Sequence, residues 1–153
     1  MDDDARRQFL TGIAREMAKD SLGLCYVYRA NDLRTEKKLN EANVFLEKAT
    51  HLSDKPDVIT LVHLIRGKIY QDQRAWDMAI IEFKSGIRAG QDDIASAELH
   101  RQLGLVYYEQ RELELAINEL EVTVSKGDTE VAGFLNALKG ELDKEKQSKK
   151  RVR

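Results

Sequence analysis

The chain has 153 residues, of which 42% are hydrophobic and 34% are charged, and its formal net charge is −2. This length suits one domain with its own core, and the near balance of charge gives the whole molecule no electrostatic reason to bind nucleic acid. The single cysteine, Cys25, excludes an internal disulfide framework and suits a reducing compartment. No apolar run approaches the roughly 18 residues of a membrane span, and the acidic start is unlike a secretory signal. We therefore expect a soluble cytoplasmic protein.

Apolar residues at helical spacing predict a chain of helices. The first runs from about 5 to 30, behind acidic residues 2–4 whose charge suits the positive end of a helix dipole. The only proline, Pro56, lies in a turn and opens a helix, where its missing N–H does no harm. The remaining predicted helices are 36–52, 57–72, 75–89, 93–110, 112–126 and 129–145.

The helices between residues 60 and 127 carry an internal repeat with an offset of 37 residues. The matched pairs are His63 and His100, Gly67 and Gly104, Tyr70 and Tyr107, Ala79 and Ala116, Ile80 and Ile117, and Phe83 and Leu120. A fixed period of this size is typical of a helical array, in which each two-helix unit covers the apolar face of its neighbour. The sequence therefore predicts an all-α fold of antiparallel helix pairs.

Two glycines lie inside the first helices of these units, where glycine costs about 1 kcal/mol relative to alanine. Because both copies accept this cost, we expect the second helix to pass close to Gly67 and Gly104. Its small residues Ala79 and Ala116 lie twelve positions further on and are predicted to make that contact. Larger side chains are expected to fill the space around it: Tyr70, Phe83, Tyr107 and Leu120.

Residues 5–54 are predicted to form a third, degenerate copy. The Leu-Gly pair at 22–23, followed by Tyr26, has the spacing of the first-helix landmarks. However, Gly23 and Ala42 are nineteen residues apart instead of twelve, and the difference is two helical turns. Either the first helix overshoots or the loop at 31–37 is long.

The last predicted helix, 129–145, has an apolar face and no partner helix, as expected of a cap over the final repeat. Residues 146–153 include five basic residues and no apolar face, and are predicted to be a frayed helix end or a disordered tail. Without this tail the rest of the chain has 20 basic and 27 acidic residues and a charge of −7, whereas the tail itself has a charge of +5. The tail is either a solubilising end or a weak electrostatic hook for nucleic acid, an anionic membrane or an acidic partner.

The repeat pattern resembles the tetratricopeptide repeat (TPR) family. The matching landmarks are Gly67, Tyr70, Ala79 and Phe83 in one copy and Leu103, Gly104, Tyr107, Ala116 and Leu120 in the other. The chain departs from the family at the first-helix Trp (His63 and His100) and at the last Ala (Gly86 and Thr123), and neither copy closes with Pro. Its period exceeds the family's, which is about 34 residues. We place the extra residues in the turns at 91–96 and 127–130.

The resemblance implies a right-handed superhelix, an α-solenoid, forming a single domain over residues 1–145. Its parts are a degenerate repeat at 5–54, repeats at 57–91 and 94–128, and the capping helix. In this family the first helices line a concave groove that binds peptides. The groove positions correspond here to Leu61, Leu64, Lys68, Gln71 and Asp72 in one repeat and to Glu98, Arg101, Leu105, Tyr108 and Glu109 in the next.

An apolar strip with a charged rim is expected along this groove, formed by Leu61, Leu64, Leu105 and Tyr108. Such a strip suits an amphipathic helix or a hydrophobic extended segment. The family's clamp for acidic chaperone C-termini needs Lys and Asn where this chain has Leu64, Lys68, Arg101 and Leu105. Only the charge of Lys68 remains, so carboxylate capture is not expected. The chain's own first helix, or a second copy, could instead cover the strip.

Catalytic, cofactor and metal motifs were not found in the sequence, so we expect no enzyme, no cofactor and no metal. His63 and His100 are interpreted as packed histidines with one hydrogen bond each, since no cysteine or carboxylate lies beside them at ligand spacing. Cys25 lies on an apolar stripe and is interpreted as a small hydrophobic residue.

Three functions remain open. The first, which we favour, is an interaction module or adaptor that binds another protein or peptide. The second is a small cytoplasmic chaperone like those of bacterial type III secretion, which guard apolar client segments. The third is a self-assembling scaffold, a homo-oligomer. Nucleic acid is not an expected partner, apart from a weak contribution of the basic tail.

Overall fold

The structure is a computed structural model that describes residues 2–90 and 93–151, without the side chains of 93 and 94. Over these residues the fold is all-α, as predicted, and contains no strand. Its helices are α1 (Asp3–Thr35), α2 (Leu39–Leu52), α3 (Pro56–Asp72), α4 (Trp76–Ala89), α5 (Asp93–Glu109), α6 (Leu113–Ser125) and α7 (Ala132–Arg151). Part of the predicted turn at 91–96 and the last two residues of the basic tail lie outside the described residues.

Helix α1 is longer than predicted, with 33 residues. It begins behind Asp2, whose carboxylate accepts a hydrogen bond from the Ala5 N–H at 2.7 Å and satisfies one of the free donors of the first turn. It continues to Thr35 instead of ending near residue 30. A long loop at 31–37 is therefore excluded, and the helix overshoots.

The first repeat has a different register from the predicted one. Ala30 and Leu33 lie 37 residues before Gly67 and Tyr70 and are fully buried. Ala30 is also twelve residues before Ala42, the spacing found in the other copies. Gly23, proposed as the landmark, packs near Ser53 and Val58 instead. The prediction was wrong by two helical turns, a shift that leaves side chains on nearly the same helix face.

The turns within the three helix pairs share one geometry. Their central residues, Lys37, Arg74 and Arg111, have φ angles of 64°, 57° and 63°. One residue further on, the N–H groups of Lys38, Ala75 and Glu112 each donate at 2.9 Å to a carbonyl in the last turn of the preceding helix: Leu33, Tyr70 and Tyr107. This is the Schellman arrangement, usually built on glycine. A basic residue occupies the left-handed position in all three turns, at intervals of 37 residues.

The helices pair as antiparallel hairpins, α1 with α2, α3 with α4 and α5 with α6, and α7 packs on α6. Helix α3 also contacts α1, α2 and α5, and α4 contacts α5. The buried side chains form two clusters, one under α1–α3 and one from α3 to α7. Among the described residues, no helix is long and apolar enough to cross a membrane.

The helix glycines do meet the second helices closely, but at a different residue from the one predicted. A Cβ atom on Gly67 would overlap the ring of Phe83, and one on Gly104 would lie 2.9 Å from Leu120 Cγ. Phe83 and Leu120 thus fill the space left by the two glycines, whereas the smaller Ala79 and Ala116 were expected there. In the second pair the Ala116 carbonyl oxygen is also near, at 3.3 Å.

Helix α7 runs beyond the predicted capping segment. Its buried residues are Leu135 and Leu138. Two ion pairs join it to α6, one between Lys139 and Glu121 at 2.7 Å and one between Lys146 and Glu114 at 2.8 Å. Residues 146–151, predicted as a tail, continue the helix with exposed side chains.

Candidate partner-binding face

The predicted groove residues lie on two adjacent helices, α3 and α5, which contact each other. Helix α3 carries Leu61, Leu64, Lys68 and Gln71, and α5 carries Arg101, Leu105 and Tyr108. Their side chains differ sharply in exposure and in their contacts. These differences decide which of them a partner could reach.

Leu64 is a core residue. It is only 6% exposed and belongs to the cluster that spans α3 to α7, so the prediction of an accessible Leu64 was wrong. The physical reason is that its side chain packs in the cluster formed with α4 to α7, so the following helices enclose it. Leu61 is half-buried and packs against both core clusters.

Among the described side chains of α5, Leu105 and Tyr108 are large apolar residues that are only half-buried. Leu105 is half-buried and, among the described residues, is assigned to neither core cluster. The Tyr108 ring meets the Phe134 ring edge-on, with centroids 5.2 Å apart and an interplanar angle of 87°. Phe134 therefore extends the strip onto α7, which the sequence predicts only as a cap. The apolar face of that partnerless helix was the signal for it.

The cations of this face are engaged within the chain. Lys68 Nζ lies 2.7 Å from Glu98 Oε1, and Arg101 Nε donates to Glu98 Oε2 at 2.8 Å. A second nitrogen of Arg101 lies 3.5 Å from both Asp128 and Glu130. Glu98, which also holds a predicted groove position, thus joins α3 to α5.

Glu98 is partly buried, and this burial raises the pKa of its carboxyl group. The hydrogen bond and charge of Lys68, together with hydrogen bonds from Arg101 and Gln102, outweigh that effect and hold the pKa below its usual value. The hydrogen bond that Arg101 donates to Glu98 also raises the pKa of Arg101. Both groups are thus charged at neutral pH, and the pair forms a polar border beside Leu105.

An open depression of about 480 Å³ lies at the end of this network. It is lined by Ala97, Glu98, Arg101, Lys126, Gly127, Asp128, Thr129 and Glu130. At the other end of the face, Arg34 of α1 pairs with Asp72 of α3 at 2.7 Å, beside the half-buried Gln71. Ion pairs therefore join each first helix to the next, α1 to α3 through Arg34 and Asp72 and α3 to α5 through Lys68 and Glu98.

The two histidines have carboxylate partners. His63 Nδ1 lies 2.8 Å from Glu82 Oε2, and His100 Nδ1 lies 2.6 Å from Glu119 Oε2. Each histidine is thus half-buried and hydrogen-bonded, as predicted, although spacing along the chain did not reveal the partners on the second helices. Within residues 2–90 and 93–151, no group of three or more His, Cys, Asp or Glu side chains could hold a metal ion.

Cys25 is exposed, so its interpretation as a packed hydrophobic residue was wrong.

Comparisons with protein-family models, curated proteins and solved structures gave no match to this chain.

Proposed function

We propose that the chain is a non-catalytic interaction module with a TPR-like right-handed superhelix, whose concave face binds a segment of another protein. The pattern of helix contacts supports this curvature. The first helices contact one another, α1 with α3 and α3 with α5, whereas no contact joins α2 to α4 or α4 to α6 over the described residues. A row of helices that touch on one side and separate on the other is the geometry of a curved solenoid.

The ligand that best fits is an amphipathic helix or a hydrophobic extended segment. The observation that carries this proposal is the accessible pair Leu105 and Tyr108, continued by Phe134 and bordered by the Glu98–Arg101 pair. An apolar centre with a charged border is the usual composition of a protein interface. Since Lys68 and Arg101 already hold Glu98, a strongly acidic ligand would have to displace an existing ion pair.

A pull-down from the source cell tests the proposal. Leu105→Glu places a charge on the strip and should abolish partner capture, because an apolar contact would then bury an unpaired carboxylate. The matched control is Leu115→Glu on α6, where the leucine is 44% exposed. Both variants must first give circular dichroism melts close to wild type. Loss of capture by Leu105→Glu alone supports the proposal, and capture unchanged by Leu105→Glu refutes it.

A further inference from the structure

The first half of α1 has no counterpart in the other repeats. Helix α3 begins at Pro56, and 37 residues earlier lies Lys19, so residues 3–18 are an extension of the repeat. They prolong the helix by about 24 Å. Every side chain from 2 to 18 is exposed. The extension therefore does not cover the chain's own candidate groove.

The extension nevertheless carries large apolar side chains. Phe9, Leu10, Ile13 and Met17 are 59%, 55%, 42% and 64% exposed. Soluble monomers seldom expose such a group together on one helix, and contiguous apolar patches of this kind mark interaction sites.

One stripe of α1 has heptad spacing. Leu10, Ala14, Met17 and Ser21 follow at intervals of four, three and four residues and alternate large with small side chains, and Leu24 and Tyr28 continue the spacing with two large ones. We call this set the α1 stripe. All its members are exposed except Leu24, which is half-buried. Spacing of this kind is the seam of a two-stranded coiled coil.

We infer that a second copy of this chain packs antiparallel on the α1 stripe. A two-fold interface requires a patch that is its own complement. With the axis between residues 15 and 16, Met17 of one copy lies opposite Ala14 of the other, and Leu10 lies opposite Ser21. Leu10 and Met17 thus each meet a small side chain, whereas Leu24 lies opposite Arg7, along whose aliphatic stem it can pack. At the ends, the hydroxyl of Tyr28 faces the carboxylate of Asp3, which can accept its hydrogen bond.

The area of such a contact is sufficient for a weak dimer. From Asp3 to Tyr28 the two helices would touch over roughly 38 Å. A helix pair of that length buries on the order of 1,200 Å² in total, which is the lower limit of specific stable interfaces. We therefore expect a dimer whose population depends on concentration. The interaction does not depend on the proposed groove, because Leu105 lies on α5.

Sedimentation of the full chain over a concentration series tests the dimer. Wild type should shift from monomer to dimer, whereas Leu10→Glu with Met17→Glu should stay monomeric with an unchanged melt, since both residues are exposed in the monomer. The matched control is Val44→Glu with Ile81→Glu, which changes two apolar residues that are 49% and 55% exposed on α2 and α4. This control should dimerise like wild type. A monomeric wild type, a dimeric stripe variant or a monomeric control each overturns the inference.

Cross-linking tests the antiparallel arrangement. In a Cys25→Ser background, the two copies of Ala14→Cys lie about 4.5 Å apart along the axis, within reach of a short bifunctional thiol reagent. In the wild-type chain the two Cys25 side chains lie about 28 Å apart and should not react together. Cross-linking at Ala14→Cys but not at Cys25 is expected. Equal cross-linking at both positions indicates a parallel pair and overturns the proposal.

Discussion

His63 Nδ1 and Glu82 Oε2 lie 2.8 Å apart and join the two helices of the second repeat. The contact recurs 37 residues later between His100 and Glu119. In the first repeat the same two positions are held by Tyr26 and Phe45, whose rings meet at 5.6 Å with an interplanar angle of 63°. The same pair of positions therefore joins the two helices in all three repeats. The contact is polar in the second and third repeats and aromatic in the first.

We expect His63→Ala to destabilise the fold by about 1–3 kcal/mol, because Glu82 loses its partner while largely buried. The double variant His63→Tyr with Glu82→Phe restores the pairing of the first repeat and should return stability to within about 1 kcal/mol of wild type. Urea unfolding followed by circular dichroism measures both. A single variant as stable as wild type would contradict a structural role for the pair.

The Gly67–Phe83 contact predicts a rescue experiment. Gly67→Ala places a Cβ atom on the Phe83 ring and should cost about 1–3 kcal/mol, as overpacking does. Adding Phe83→Leu recreates the Ala30 and Leu46 combination of the first repeat, where both residues are fully buried. The double variant should be more stable than Gly67→Ala alone in thermal melts. If the two changes were simply additive, the contact would not be the cause.

Leu64 and Leu105 should respond differently to a charge. Leu64→Glu buries a carboxylate in the core, which costs several kcal/mol and should unfold much of the protein at 37 °C. Leu105→Glu should change stability by under about 1 kcal/mol, since the residue is accessible and lies outside both core clusters. Denaturant midpoints of the two variants give the comparison. Equal losses would place Leu105 in the core.

Helix α7 should be essential, but its last residues should not. Truncation after Gln147 keeps Lys146 and all the buried residues of α7, so the melting temperature should not change. Truncation after Gly127 removes Phe134, Leu135 and Leu138 and exposes the side chains that they cover. We expect that fragment to aggregate. A soluble, fully helical 1–127 fragment would exclude a capping role for α7.

The Glu98 network predicts an acid-sensitive component of stability. Because the folded-state pKa of Glu98 lies below its ordinary value of 4.5, its contribution is present above pH 4.5 and is lost as the pH falls through the folded pKa. Wild type should therefore lose more unfolding free energy on acidification than Glu98→Gln. The exposed Glu47→Gln serves as the control and should follow wild type. Parallel pH profiles for wild type and Glu98→Gln would exclude this linkage.

The sequence by itself determined the helices, their pairing and the 37-residue phase of the second and third repeats. These properties depend on local rules, the helical spacing of apolar residues and the conformational preferences of glycine and proline, so they can be read without a partner helix. Pro56 begins α3 as expected, and most helix ends fall within three residues of the predicted positions. The positive φ angles of Lys37, Arg74 and Arg111 could not be predicted in this way, because nothing in these residue types favours a positive φ.

Only the tertiary structure decided the register of the first repeat and the exposure of the groove leucines. A shift of two turns between Gly23 and Ala30 leaves the apolar pattern nearly unchanged, so the choice depends on contact with α2, where Ala30 packs. Leu64 and Leu105 are both leucines on first helices, but they hold different repeat positions, since 37 residues separate Leu64 from Arg101 and Lys68 from Leu105. Leu64 packs in the cluster that spans α3 to α7 and Leu105 does not, and periodicity within one helix carries no information about such contacts with other helices.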